Sequence, residues 1–225
     1  SLGNRTQNVS DDKWTCDVND VRGFESCLKE YAIPDVLYFL SGCREEGALL
    51  DCDFVSTSQV YNEIQLLRLV QWFAKSKPID APIDCYVLTI DNHRIGNSLS
   101  RSFGGGLTGL AYAIAQASHW FRVRNIDLSA LDLIESQKQE TSLRMIFSEV
   151  PSDRGEAIKF WSGRRYRQRF IEVNEASFSM EPAIEHGGVY VIAGGGGTVG
   201  RIISRHLIRN YEASVIWIGR HPEDS

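Results

Sequence analysis

The sequence predicts an α/β fold, a mostly parallel sheet covered by helices and followed by a further β-α-β unit. Three observations predict it. Short apolar blocks alternate with stretches of helical period, the pattern of strands joined by helical crossovers. A glycine-rich run, GGGGTVG at 194–200, follows one such block directly and opens a helical pattern. The 225 residues, 43% hydrophobic and 24% charged, have the balance of an ordinary globular protein with room for one large domain or two small ones.

The elements follow in chain order. After a polar start, VLYFL (Val36 to Leu40) reads as a buried strand. Val60, Ile64, Leu67 and Val70 recur at helical spacing, which predicts a helix from Gln59 to Ala74 with Ser58 as its N-cap. CYVLTI (Cys85 to Ile90) is the next strand. Leu107 to Ala117 is a small-residue helix, and Val123, Ile126 and Leu128 lie in a strand that ends at Asp127 and Leu128. Leu131 to Ile134 and Leu143 to Phe147 are weaker helical pieces.

The period then changes. AIKFW, a Ser162-Gly163 turn signal and RRYRQRFIEV predict a β-hairpin. Arg165, Arg167 and Arg169 are expected on one strand face, read as a solvated face paired with the chain's acids rather than a platform for an anionic partner. Asn174 to His186 is a polar connector, and a domain boundary is expected at 183/184. Beyond it, Val189 to Ala193 is a strand, Arg201 to Asn210 a helix and Ser214 to Arg220 a second strand. A lone β-α-β unit lacks sheet neighbours of its own, so it must dock on the preceding residues or on polypeptide outside these 225.

Composition excludes several classes. The formal charge of −5 offers no global attraction to nucleic acid. No run reaches the roughly 18 to 20 apolar residues that cross a bilayer, and the opening has no signal-peptide pattern, so no membrane partner and a cytoplasmic location are expected. Cys16, Cys27, Cys43, Cys52 and Cys85 form no CxxC pair and are expected as reduced thiols. The five histidines are scattered and form no ligand pair, and no metal site is expected.

The glycine run carries the chemistry. Gly195, Gly197 and Gly200 satisfy GxGxxG between a predicted strand and a predicted helix, the context in which the motif holds a dinucleotide. Gly195 is expected to make the tight turn, Gly197 to let a pyrophosphate approach the backbone and Gly200 to pack helix on strand. The candidate binding set is Gly194, Gly195, Gly197, Thr198, Val199, Gly200 and Arg220. The helix end favours phosphate by about 0.3 to 1 kcal/mol per charge at exposed sites. An acid at the end of the second strand would select NAD; Gly219-Arg220 stands there, which favours the 2′-phosphate of NADP. A second cluster, Gly104, Gly106 and Gly109, fits the same spacing but lies far from the preceding strand, so these glycines are read as turn and packing positions. Catalytic groups are missing: none of the eight tyrosines is followed four residues later by Lys or Asn, and GxSxG, HExxH and a P-loop lysine are absent.

With these residues in view, the chain resembles the ketoreductase region of a modular type I polyketide synthase. GVYVIAGGGGTVGRIISRHLIRNYEASVIWIGR is similar to that family's strand, TGGxGxLG, helix and strand ending in GR, with Ala193 in place of the usual Thr or Ser and Val199 in place of Leu. Upstream, PDVLYFLSG, the helix and CYVLTI, GGGLTGLAYAIAQASHWFRVRNIDLS and GRRYRQRF resemble, more loosely, its structural subdomain. The resemblance implies a Rossmann-like fold of the short-chain dehydrogenase/reductase type, in which a truncated, non-cofactor-binding unit over 1–183 precedes the first β-α-β of the catalytic subdomain. It implies NADPH as reductant, a β-ketoacyl chain on an acyl carrier protein as substrate, neighbouring synthase domains as partners, and catalytic residues outside these 225. Two alternatives stay open: a non-reducing pseudo-ketoreductase that organises a neighbour, and an unrelated NADP-binding module.

Overall fold

A computed structural model describes residues 7–10, 13–15, 20–30, 33–43, 51–76, 82–98, 100–101, 103–152, 154–174 and 184–219. Arg220 and Cys16, both named above, lie outside the described residues, as does most of the expected connector. The chain divides into two compact units, Ser1–Arg169 and Phe170–Ser225.

The first unit begins with structure that the sequence does not announce. Strands β1 (Gln7–Ser10) and β2 (Lys13–Thr15) pair antiparallel, and helix α1 (Val21–Lys29) follows, its start capped by Asp20, whose carboxylate accepts from the Gly23 amide at 2.9 Å. The main sheet comprises β3 (Val36–Gly42), β4 (Ile83–Ile90), β5 (Phe121–Leu128), β6 (Ala157–Trp161) and β7 (Arg164–Arg167), side by side in chain order. The first four are parallel; β7 returns antiparallel through the expected turn, in which Ser162 (φ 51°) and Gly163 (φ 69°) both take positive φ.

Between β3 and β4 the helix starts earlier than Ser58. Asp51 is the cap, accepting from the amides of Asp53 (3.0 Å) and Phe54 (3.1 Å), and α2 (Cys52–Gln59), a π-helical turn (Val60–Ile64) and α3 (Gln65–Ser76) run on without a break. Helix α4 (Gly105–Ala117) joins β4 to β5, and α5 (Ala130–Ile134) and α6 (Ser136–Ser148) join β5 to β6.

Alternation along the strands feeds two cores. On one face Phe39, Cys85, Val87 and Val123 meet Leu66, Val70 and Phe73 of α3 and Leu107, Ala111 and Ile114 of α4. On the other, Tyr86, Leu88, Ile126, Ile158 and Phe160 meet Ile146 of α6. Each fully buried aliphatic or aromatic side chain contributes about 1.5–3 kcal/mol, so the sheet needs both layers.

The second unit is a parallel pair, β8 (Val189–Ala193) and β9 (Ser214–Ile218), linked by α7 (Thr198–Tyr211). Helix α7 begins at Thr198, ahead of the expected Arg201, because the glycine run itself turns into it. Among the described residues no helix is long and apolar enough to cross a membrane.

Candidate functional site

The glycine loop connects β8 to α7. Gly194 holds φ at +84° and its amide donates to the Ile218 carbonyl at 2.7 Å, tying the loop to the end of β9. The left-handed residue of the tight turn is therefore Gly194 rather than Gly195. Gly195 is required for a different reason: a Cβ there would overlap the ring of Trp217. At Gly200 a Cβ would overlap the Gly194 carbonyl oxygen and lie 2.7 Å from Gly195 Cα, so helix and loop pack at glycine distance, as the motif demands.

The other two glycines face open space. A Cβ on Gly196 would meet nothing within 4 Å, and one on Gly197 only the Gly194 carbonyl oxygen at 3.3 Å. Gly197 is the N-cap of α7 and makes no side-chain cap bond, while Thr198 and Val199 form the first turn with Val199 68% exposed. The first amides of a helix have no intrahelical acceptor, so this end presents backbone donors and the positive pole of a 14-residue helix to solvent. The residues present fit a pyrophosphate, because the cradle in front of Gly196 and Gly197 is the space that side chains would fill.

The second cluster differs in kind. Gly104 (φ +79°) turns the chain into α4, and a Cβ on Gly106 would overlap the Glu63 side chain, which reaches over from the π-helical turn. Burial pushes the Glu63 carboxyl above its ordinary value of 4.5. A Cβ on Gly109 would meet nothing within 4 Å.

A buried ion cluster, which the sequence reading missed, lies at the carboxyl ends of β4 and β5. The Lys159 ammonium sits 3.0 Å from Asp127 and 3.1 Å from Asp91, all three essentially buried. Asp127 also accepts from Thr89 Oγ1 (3.0 Å) and from the amides of Asn92 (2.8 Å) and His93 (3.0 Å). Asp91, at φ 52°, accepts from the Ala130 amide at 3.1 Å. The signal was available: Lys159 is a charge in the middle of the apolar block AIKFW, and a buried charge demands partners.

Two hairpin arginines, Arg165 and Arg167, are paired with acids. Arg165 bonds both oxygens of Glu149 at 2.8 Å, Arg124 adds a contact to the same carboxylate at 3.2 Å, and Arg167 pairs with Glu156. The hydrogen bond from Arg167 holds the Glu156 carboxyl below its ordinary value. Arg169 lies beyond the end of β7 and does not share its strand face.

Comparison with known proteins places this architecture. A solved multidomain structure of the adenylation, ketoreductase and pseudo-Asub regions of a keto acid-selecting NRPS module superposes with a TM-score of 0.77 at 16% identity, over 99% of this chain and 19% of that one. The first ketoreductase of the tylosin PKS superposes with a TM-score of 0.56 at 17% identity, over 89% and 39%. The fold is thus Rossmann-like, a largely parallel sheet covered by helices, as in these two structures. In sequence, polyketide synthase PksN of Bacillus subtilis (strain 168) is 32% identical over 174 residues, 77% of this chain and 3% of that protein. The chain spans only 1 to 3% of the length of the curated relatives it matches. No protein-family model matches it. In sequence and fold the chain resembles the ketoreductase region of a modular polyketide synthase.

Proposed function

We propose that the chain is the structural subdomain, with the first β-α-β of the catalytic subdomain, of a ketoreductase that reduces a β-ketoacyl group on an acyl carrier protein with NADPH. The observation that carries the reading is the glycine loop: Gly194 is fixed by its positive φ, and Gly195 and Gly200 by close packing, whereas Gly196 and Gly197 border space open to a ligand. In this reading the cofactor supplies hydride. The loop's backbone and the start of α7 hold its pyrophosphate, with Gly197, Thr198 and Val199 lining the approach, and Arg220 selects the 2′-phosphate. The first unit acts as a scaffold, with the subdomain boundary assigned to 183/184, and the proton donor comes from polypeptide outside these 225 residues.

The exposed face of the β8–β9 pair supports incompleteness. Val189, Val191, Ile216 and Ile218 lie on one side of that sheet at 52 to 68% exposure, and a two-stranded sheet does not stand alone. The test is NADPH oxidation by the intact synthase polypeptide with a β-ketoacyl thioester. Gly197→Val should abolish it while carrier loading by the remaining domains continues; unchanged reduction would refute the loop's role. Reduction by the 225-residue chain alone would refute the scaffold assignment.

A further inference from the structure

The loop after β4 covers a cleft of about 530 Å³ against β6 and β7, lined among others by His93, Arg94, Ile95, Lys159, Tyr166 and Gln168. That volume lies in the range of small-molecule sites, about 300–1,000 Å³. The cleft lies between the loop that leaves the carboxyl end of β4, the first residues of β6 and the end of β7.

The loop is held in position before any ligand arrives. Asp127 fixes the amides of Asn92 and His93, the Arg101 amide donates to the Asp91 carbonyl at 2.6 Å, and the Ile95 amide donates to Ser98 Oγ at 2.8 Å. A wall fixed in this way costs less ordering on binding.

Charge then decides the ligand class. No side chain lining the cleft is acidic among the described residues. Behind the wall, the carboxylates of Asp91 and Asp127 are balanced by Lys159 and by Arg101, whose Nε is 3.8 Å from Asp91. Arg167 is matched by Glu156. Arg94 remains: its Nε donates to the Gly96 carbonyl at 3.2 Å, and it makes no ion pair among the described residues. The cleft therefore carries net positive charge at its mouth, beside the phenol of Tyr166 and the apolar side chain of Ile95.

We propose that this cleft binds a small phosphate monoester carrying a planar ring, with Arg94 on the phosphate and Tyr166 and Ile95 against the ring. It lies wholly in the first unit and is independent of the glycine loop and of the nucleotide assigned there. The test is an NMR titration of the isotope-labelled chain with AMP, adenosine and inorganic phosphate. AMP should shift the amides of residues 92–95 and 166–168, phosphate should do so more weakly, and adenosine should leave them in place. Arg94→Ala should weaken AMP by tenfold or more, about the worth of one charged hydrogen bond, without unfolding the chain because the side chain is exposed. Gly197→Val, which tests the other site, should leave these shifts intact. Absence of AMP-dependent shifts at these amides, an equal response to adenosine, phosphate binding as tightly as AMP, or undiminished AMP binding by Arg94→Ala would each overturn the proposal.

Discussion

The indole Nε1 of Trp217 donates to Ser204 Oγ at 2.7 Å, and Ser204 Oγ donates in turn to the Gly200 carbonyl at 2.7 Å. This two-bond link ties the end of β9 to the first turns of α7, and it lays the Trp217 ring over Gly195. Two loop glycines, Gly195 and Gly200, are thereby committed to packing, and Gly196 and Gly197 between them are left to the open side.

That division predicts different phenotypes for neighbouring glycines. Gly200→Ala should destabilise the second unit by about 1–3 kcal/mol through overpacking against Gly194 and Gly195. Gly197→Ala meets one atom at 3.3 Å and should leave stability nearly unchanged. Urea denaturation followed by Trp fluorescence measures both; equal losses for the two variants would contradict the assignment.

The buried cluster makes a larger prediction. Lys159→Met leaves Asp91 and Asp127 with only the more distant Arg101, 3.8 Å from Asp91, and removing one partner of a buried ion pair costs about 3–5 kcal/mol. Chemical denaturation of the variant should show that loss, and a change below about 1 kcal/mol would mean that the lysine is not the charge that holds the cluster.

Much of the first unit was legible because its strands are short apolar blocks between helical stretches. Val36–Gly42 and Ile83–Ile90 bracket the predicted segments, and the hairpin turn was announced by Ser162-Gly163. What escaped has physical reasons. The β1–β2 pair consists of short polar segments without apolar period, and the period of α1, carried by Val21, Phe24, Cys27 and Leu28, runs for only nine residues. Ser58 reads as a cap because the apolar period starts beside it, whereas the exposed first turns of α2 are specified by the Asp51 carboxylate, which acts without any period. In the site, the motif revealed which residues are glycine but not why: Gly194 takes the left-handed turn as its amide bonds the Ile218 carbonyl, and Gly195 is covered by Trp217, 22 positions away.

Glu63 should give the first unit a characteristic pH response. Its folded pKa is raised by burial above the unfolded value of 4.5, so the native state binds the extra proton. This contribution is fully present below pH 4.5 and is lost as pH rises through the folded pKa. Relative to the unmutated chain, Glu63→Gln should gain stability as pH rises through that window. Denaturation curves at several pH values would show it, and a difference between the two proteins that does not vary with pH would contradict the burial.

Thiol reactivity should follow burial. The Cys85 thiol is pushed up to about 12 by burial and Cys43 to about 11, burial first and the Asp127 charge second, whereas Cys52 is exposed. Alkylation under native conditions should therefore mark Cys52 well before Cys43 and spare Cys85 until the chain is unfolded. Mass spectrometry of peptides after timed labelling decides this, and early modification of Cys85 would show that the core around β4 is open.

For the proposal that the glycine loop holds a 2′-phosphorylated dinucleotide, the most direct measurement is a calorimetric titration of the chain with NADP and with NAD. NADP should bind more tightly by about tenfold or more, the worth of a charged hydrogen bond from Arg220 to the 2′-phosphate. Arg220→Ala should erase that preference while keeping residual binding, and Gly197→Val should remove both. Equal affinities for the two nucleotides in the unmutated chain, or binding that survives Gly197→Val, would contradict it.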